Sequence, residues 1–305
     1  MNRTVTALGM FDGVHIGHRA LLECAAQTAH RQGDTAVVFT YSNHPKELFS
    51  GTFHYVSTME QRERLILDCG CDRVDTVPFD TAFASMPPEA FVDWLDARYA
   101  HGVAAIVVGY DFRFGFRAAG DTALLQSLAS ARGIEVTVVG EVDYKGRACS
   151  STRVREAIRS GDMNEACAML NRPFVLCGTV VHAKALARQY GCPTANLDAG
   201  AQILPKDGVY AAVLVADGKE YDAVTNVGTN PTVSGCARTV ETHAIGADLD
   251  LYGKRVGIAF FDRLRGEQTF ADTDALFAQI RLDAAQAKKV LQEHKKGVYN
   301  LKRLC

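Results

Sequence analysis

The chain has 305 residues, 48% of them hydrophobic and 22% charged, with a formal net charge of −2. That length suits two domains, each able to bury its own core, and the composition excludes a disordered, collagen-like or coiled-coil chain. A charge so close to neutral offers no basic face for a large duplex-DNA footprint, so an anionic ligand has to be held by a local site.

The first half alternates apolar runs with helical stretches. Residues 4–8 form a short apolar run ending at Gly9, and residues 15–30 predict a helix with Leu21, Leu22, Ala25 and Ala29 on one face. The run TAVVFTY at 35–41 suits a strand buried on both faces. A helix is predicted over 58–69, a strand over 74–78, a helix with proline at its start over 88–99, and a strand over 104–109. A helix over 121–131 and a strand over 135–139 complete the series. Strand–helix alternation predicts a parallel sheet with right-handed crossovers, and ligands on such sheets bind beyond the C-terminal strand ends. Gly9, Tyr41 and Gly109 therefore point at one cleft.

Two helices, 152–160 and 164–170, join at Gly161 and Asp162, and the character changes after Arg172 and Pro173. Strands then follow one another over 174–181, 208–216, 220–225, 240–245 and 255–261, with turn signals such as Asp217-Gly218 and Tyr252-Gly253 between them. This pattern predicts an antiparallel barrel. The tail from 273 to about 294 is helical, with Leu276, Phe277 and Ile280 on one side. The expected domains are 1–170 and 171–305. Nine cysteines in no regular frame read as reduced thiols. With no signal-like apolar core at the N-terminus and no run near the ~18 residues of a membrane span, the expected location is the cytoplasm.

The segment from Gly9 to His18 reads GMFDGVHIGH. Gly9 and Gly13 permit a tight strand-to-helix turn and close approach to a ligand. A helix N-terminus offers free N–H groups and the positive end of the helix dipole, which together favour an anion. His15 and His18, three residues apart, share a helix face, and Gly17 leaves room between them for a phosphate. Two imidazoles so placed could hold a triphosphate and stabilise charge building on its α-phosphorus. Asp111 follows the 104–109 strand, where it either reaches the cleft edge or caps a turn. Ser150, Ser151 and Thr152 precede a helix and either cap it or bind phosphate, and Arg153 adds a fixed bidentate charge. Arg155, Arg62, Arg64 and the basic tail read as solvated helix surface.

The Gly9–His18 string resembles the HxGH nucleotidyltransferase signature in the form G-x-F-D-G-V-H-x-G-H, characteristic of prokaryotic bifunctional riboflavin kinase/FAD synthetases. Residues 40–49 (TYSNHPKELF) are similar to that family's F-x-P-H-P segment near the flavin, with His44 and Pro45 matching and Asn43 where proline is common. Residues 109–115 (GYDFRFG) resemble its nucleotide loop, and 150–155 (SSTRVR) its S-S-T-R-x-R motif. In the second half, 191–197 (GCPTANL) is similar to the riboflavin kinase signature G-F-P-T-A-N-L, 226–232 (NVGTNPT) to N-I-G-x-x-P-T, and VETH at 240–243 carries Glu241. Taken by composition alone, PTAN reads as a turn.

The resemblance implies an α/β, Rossmann-like HxGH nucleotidyltransferase domain, followed by a mainly antiparallel riboflavin kinase barrel with a C-terminal helix. It implies phosphorylation of riboflavin to FMN and adenylylation of FMN to FAD, with ATP as co-substrate and Mg²⁺ as cofactor. His15 and His18 would be catalytic at the first site. Gly9, Phe11, Asp12, Gly13, Asp111, Ser150, Ser151, Thr152 and Arg153 would bind the nucleotide, and His44 and Pro45 the flavin. Thr194 and Asn196 would carry the metal, and Glu241 would act as base. Riboflavin, FMN, FAD and ATP are the expected partners, without nucleic acid or membrane, and self-association is left open. One departure stands out: Ala183 and Ala187 occupy two glycine positions of the family's loop, and Cys192 replaces a common Phe. If those glycines need positive φ, the cost is about 1–3 kcal/mol per residue. The alternative is therefore an FMN adenylyltransferase with a weakened, flavin-binding barrel.

Overall fold

The computed structural model describes residues 2–181, 194–232, 235–294 and 299–304. Ala183, Ala187 and Cys192 lie outside the described residues. The chain divides into two compact units: Met1–Phe53 with Arg62–Ser150, and His54–Gln61 with Ser151–Cys305.

The first unit is built on β1 (Thr4–Leu8), α1 (Ile16–Gln32), β2 (Thr35–Tyr41), α2 (Pro45–Ser50), α3 (Met59–Leu67), β3 (Arg73–Val77), α4 (Thr81–Ala84), α5 (Pro88–Ala97), β4 (Val103–Gly109), α6 (Thr122–Ser130) and β5 (Glu135–Val139). The opening residues of α3 belong to the second unit. All four strand pairings are parallel and the order is β3-β2-β1-β4-β5. β1 is central and buried at every position, as an apolar strand covered on both faces must be. Local chemistry sets the helix ends. The Asp121 carboxylate accepts from Leu124 N and starts α6, and Gly33 ends α1 in the left-handed conformation. The short helices α2 and α4 fall where the sequence predicts none, since four to six residues cannot display a helical period.

The second unit opens with α7 (Ser151–Ser160) and α8 (Met163–Leu170), the latter capped by Asp162. Then come β6 (Phe174–Val181), β7 (Ala195–Asp198), β8 (Gly208–Ala216), β9 (Lys219–Thr232), β10 (Gly235–Ala244) and β11 (Arg255–Arg265), and finally α9 (Thr273–His294). The six strands close into a barrel in the order β10-β7-β6-β11-β8-β9, antiparallel throughout. β9 runs well past the expected end at residue 225, because ten residue pairs with β10 outweigh the turn propensity of Gly228 and Pro231. Thr225 and Thr242 share a hydrogen bond of 2.9 Å in the buried interior.

Three expectations fail. Arg62 is 2% exposed rather than solvated, because its guanidinium donates to Met10 O (2.9 Å) and Tyr41 O (2.7 Å). Arg155 is also buried, on the same side of α7 as Val154 and Ile158. Cys24, Cys69, Cys71, Cys149 and Cys167 are free thiols, but Cys177 is disulfide-bonded. Its Sγ lies 3.1 Å from Leu304 O, near the chain end.

Candidate active sites

β1 and β4 are neighbours, while β2 and β5 lie on their outer sides, so the strand order reverses between β1 and β4. A ligand crevice opens at such a point, beyond the carboxyl ends of the strands. The segment after Leu8 leaves β1 there. Its backbone turns sharply, with φ of 51° at Phe11, 81° at Gly13 and 42° at Val14. Positive φ suits glycine, but for a bulky or β-branched residue it stores about 1–3 kcal/mol and persists only where surroundings over-determine it. Here Phe11 and Val14 are fully buried, and the Phe11 ring covers Gly9 so closely that a Cβ on Gly9 would sit 3.0 Å from it. Arg62 braces the same loop by its bond to the Met10 carbonyl.

The turn delivers His15 as the N-cap of α1, with its Nδ1 accepting from His18 N at 3.3 Å. An imidazole that accepts at Nδ1 carries its proton on Nε2, which is then the atom able to donate. The His15 and His18 rings stack at 3.7 Å between centroids, 18° from parallel, and Phe11 packs edge-on to His18 at 5.3 Å. A Cβ built on Gly17 would lie 3.2 Å from His15 Cε1, so a side chain at this position would crowd the His15 ring. Asp12 is buried in the loop. Asp111 is exposed just past β4, its Oδ1 3.3 Å from a Cβ built on Gly109. Ser150 ends the first unit and Ser151, Thr152 and Arg153 begin the second, where Arg153 pairs with Glu165 at 3.4 Å.

Beyond β2, His44 caps α2 by accepting from Lys46 N and stacks on Phe53 at 3.8 Å. Pro45 lines a cavity of about 300 Å³ walled by aromatic rings, among them Tyr41, Phe79, Phe83 and Phe114, with Arg113 and Arg117 also in its lining. Burial raises the Tyr41 phenol far above its ordinary range. Asn43, where proline is common in the family, exchanges two hydrogen bonds with the Phe79 backbone. The sequence gives no sign of this cavity, because its aromatics are scattered from residue 41 to 114.

The second site lies on the barrel. Glu241 stands opposite Asn196 on β7 and opposite Asn226 on β9, so the three side chains form one row across adjacent strands. Glu241, Asn226 and Thr194 line a cavity of about 310 Å³ that α9 closes with Leu276 and Ile280. Asn196 is half-buried beside Glu241 and is absent from the cavity lining. Thr225 and Thr242, one residue along their strands, face the barrel interior instead, so this cavity lies on the barrel's outer surface. An ion pair holds α9 in place: Arg265 meets Asp283 through Nε at 3.0 Å and Nη2 at 2.8 Å, and Gln279 adds a bond to the same carboxylate. The side chain of Asp283 is only 3% exposed. Arg265, Glu267 and Asp283 were invisible in the sequence as site residues, and Asn226 entered only as the first residue of the 226–232 resemblance, since strand register and helix docking bring all four to Glu241.

Residues 1–153 match the FAD synthetase family and residues 170–291 the riboflavin kinase family. The bifunctional riboflavin kinase/FMN adenylyltransferase of Escherichia coli K12 is 36% identical over 288 residues, covering 93% of this chain and 92% of that one. The enzyme of the same name from Pseudomonas fluorescens is 35% identical with the same coverage. A Streptococcus pneumoniae crystal structure described as a macrolide-efflux protein superposes with a TM-score of 0.86 at 30% identity, covering 94% of each chain. Among the described residues, no helix of this chain is long and apolar enough to cross a membrane.

Proposed function

The chain belongs to the bacterial bifunctional riboflavin kinase/FMN adenylyltransferase family, and from that premise we propose that it makes FMN from riboflavin and FAD from FMN, each at the expense of ATP. The observation that carries the adenylylation is the stacked His15–His18 pair on a strained loop where the strand order reverses. An FMN phosphate oxygen attacks the α-phosphorus of ATP, and pyrophosphate leaves. The His15 Nε2–H and the His18 ring stabilise the charge that accumulates there, while Gly9, Phe11, Asp12 and Gly13 shape the nucleotide cradle through their backbone. Asp111, Ser150, Ser151, Thr152 and Arg153 are assigned to the nucleotide on the family resemblance. The aromatic cavity beside His44 and Pro45 suits the apolar flavin ring.

At the barrel, Glu241 accepts the proton of the riboflavin 5′-hydroxyl as that oxygen attacks the γ-phosphorus, and ADP leaves. Thr194 and Asn196 offer the hard neutral oxygens that suit Mg²⁺ held largely by ATP phosphates. When bound, the ion neutralises phosphate charge. We assign adenylylation to residues 1–170 and phosphorylation to 171–305, in a cytoplasmic enzyme acting on small molecules, with neither nucleic acid nor membrane as partner.

Chromatographic analysis of products from riboflavin, ATP and Mg²⁺ tests both halves. The expected course is FMN followed by FAD, with one pyrophosphate released per FAD. FAD formed from supplied FMN, with none formed from riboflavin, would leave only the adenylyltransferase and point to Ala183 and Ala187.

A further inference from the structure

Besides Glu241 and the Arg265-paired Asp283, the cavity under α9 is lined by a third carboxylate, which the proposed phosphorylation does not use. Glu267, exposed at the mouth just after β11, reaches back over β9. A Cβ built on Gly228 would lie 2.1 Å from Glu267 Oε1 and 3.3 Å from Asn226 Nδ2. Gly228 is buried in the strand and outside the left-handed region, so it is glycine for space, and a carboxylate fills that space. The two contacts at one point put the Glu267 oxygen and the Asn226 amide no farther apart than the sum of those distances. Asn226 is the register partner of Glu241, and Gly228, two residues on, faces the same way, roughly 7 Å along the strand. One face of the barrel therefore presents two carboxylates on either side of an amide, opposite the apolar side of α9.

An ionised carboxylate only accepts hydrogen bonds, so it selects a ligand group that donates. Riboflavin brings such donors at that distance from its reacting end: the internal hydroxyls of the ribityl chain, between the terminal hydroxyl and the ring. We propose that Glu267 is a specificity-determining residue that accepts from an internal ribityl hydroxyl, and that Gly228 exists to admit its carboxylate. This rests on reading Glu241 as the base at the 5′-hydroxyl.

The test compares riboflavin with a flavin carrying a 5-hydroxypentyl chain, which keeps the terminal hydroxyl and lacks the internal ones. In Glu267→Ala, which removes the acceptor, the KM for riboflavin rises roughly tenfold, as expected for loss of a hydrogen bond to a charged acceptor, with kcat little changed. The KM for the hydroxypentyl flavin is the same in wild type and variant. Gly228→Ala pushes aside only the flexible carboxylate tip, so it reproduces the KM rise without lowering the melting temperature, alanine being the better strand residue. The double variant is no worse than either single one. Adenylylation of FMN by the same preparations reports that the protein is folded. Equal KM ratios for the two flavins, an unchanged KM in Gly228→Ala, or additive effects in the double variant would overturn the proposal. A wild-type protein that makes no FMN at all would instead overturn the phosphorylation reading beneath it.

Discussion

The two sites are built in opposite ways. The nucleotide site is ten consecutive residues, a turn with positive φ at Phe11, Gly13 and Val14 that runs into the first turn of α1, held by the buried Phe11 and Val14 and braced by Arg62. The barrel cavity is lined by no described residue with positive φ. Its residues come from β7, β9, β10, β11 and α9, placed by ordinary antiparallel register. A local site stands or falls with its own loop, whereas a distributed site depends on every element that delivers a residue. The first should therefore respond to changes in single rings and the second to changes in docking.

The largest expected effects test whether the sites are separate. His18→Ala removes one of the stacked rings and should lower FAD formation from FMN by about 10²–10³-fold, or about 3–4 kcal/mol of transition-state stabilisation, with FMN formation unchanged. Glu241→Gln should do the reverse, at a cost within the range for loss of a general base, about 10²–10⁴-fold. Steady-state assays of each half-reaction decide this, and a variant that damages both equally would break the comparison.

The same contrast explains what could be read in the sequence. The loop was legible because its glycines, its paired histidines and the following helix are contiguous, so the local chemistry names the site. The barrel site was legible only through resemblance to known kinases. Glu241 is one acidic residue in a mixed polar strand until register sets it opposite Asn196 and Asn226, and that register spans 45 and 15 positions of chain. The strand expected over 220–225 stops seven residues short of the end of β9 at Thr232, because the pairing with β10 that extends it is set by register and not by local pattern. Arg62 misled for a different reason: a charge suggests solvent, yet the Met10 carbonyl of the strained loop and the Tyr41 carbonyl at the end of β2 both accept from the buried guanidinium.

A middle-sized effect tests the docking of α9. Asp283→Asn keeps the shape of the side chain but removes the charge that Arg265 meets through two nitrogens. The expected loss is about 1.5–3 kcal/mol, the worth of hydrogen bonds to a charged partner. Denaturant unfolding measures it, and FMN formation should weaken through a higher KM for riboflavin as the wall of the cavity loosens. A change below about 0.5 kcal/mol would mean that the pair behaves as an exposed one and that α9 is held by its apolar face alone.

The smallest effect separates two jobs that one residue performs. His15 caps α1 through Nδ1 and offers the other side of the same ring to the phosphates. Asparagine is among the best N-cap residues and has no imidazole, while alanine lacks both features. His15→Asn should therefore keep the melting temperature of the wild type, and His15→Ala should lose about 1 kcal/mol, near 2–4 °C for a domain of this size. Both should lose FAD formation to the same extent. Calorimetry and the FMN adenylylation assay on the same samples decide between the two roles. If asparagine restored activity together with stability, the ring would matter only as a cap, and the contrast between a chemical loop and a docked barrel would collapse at its first residue.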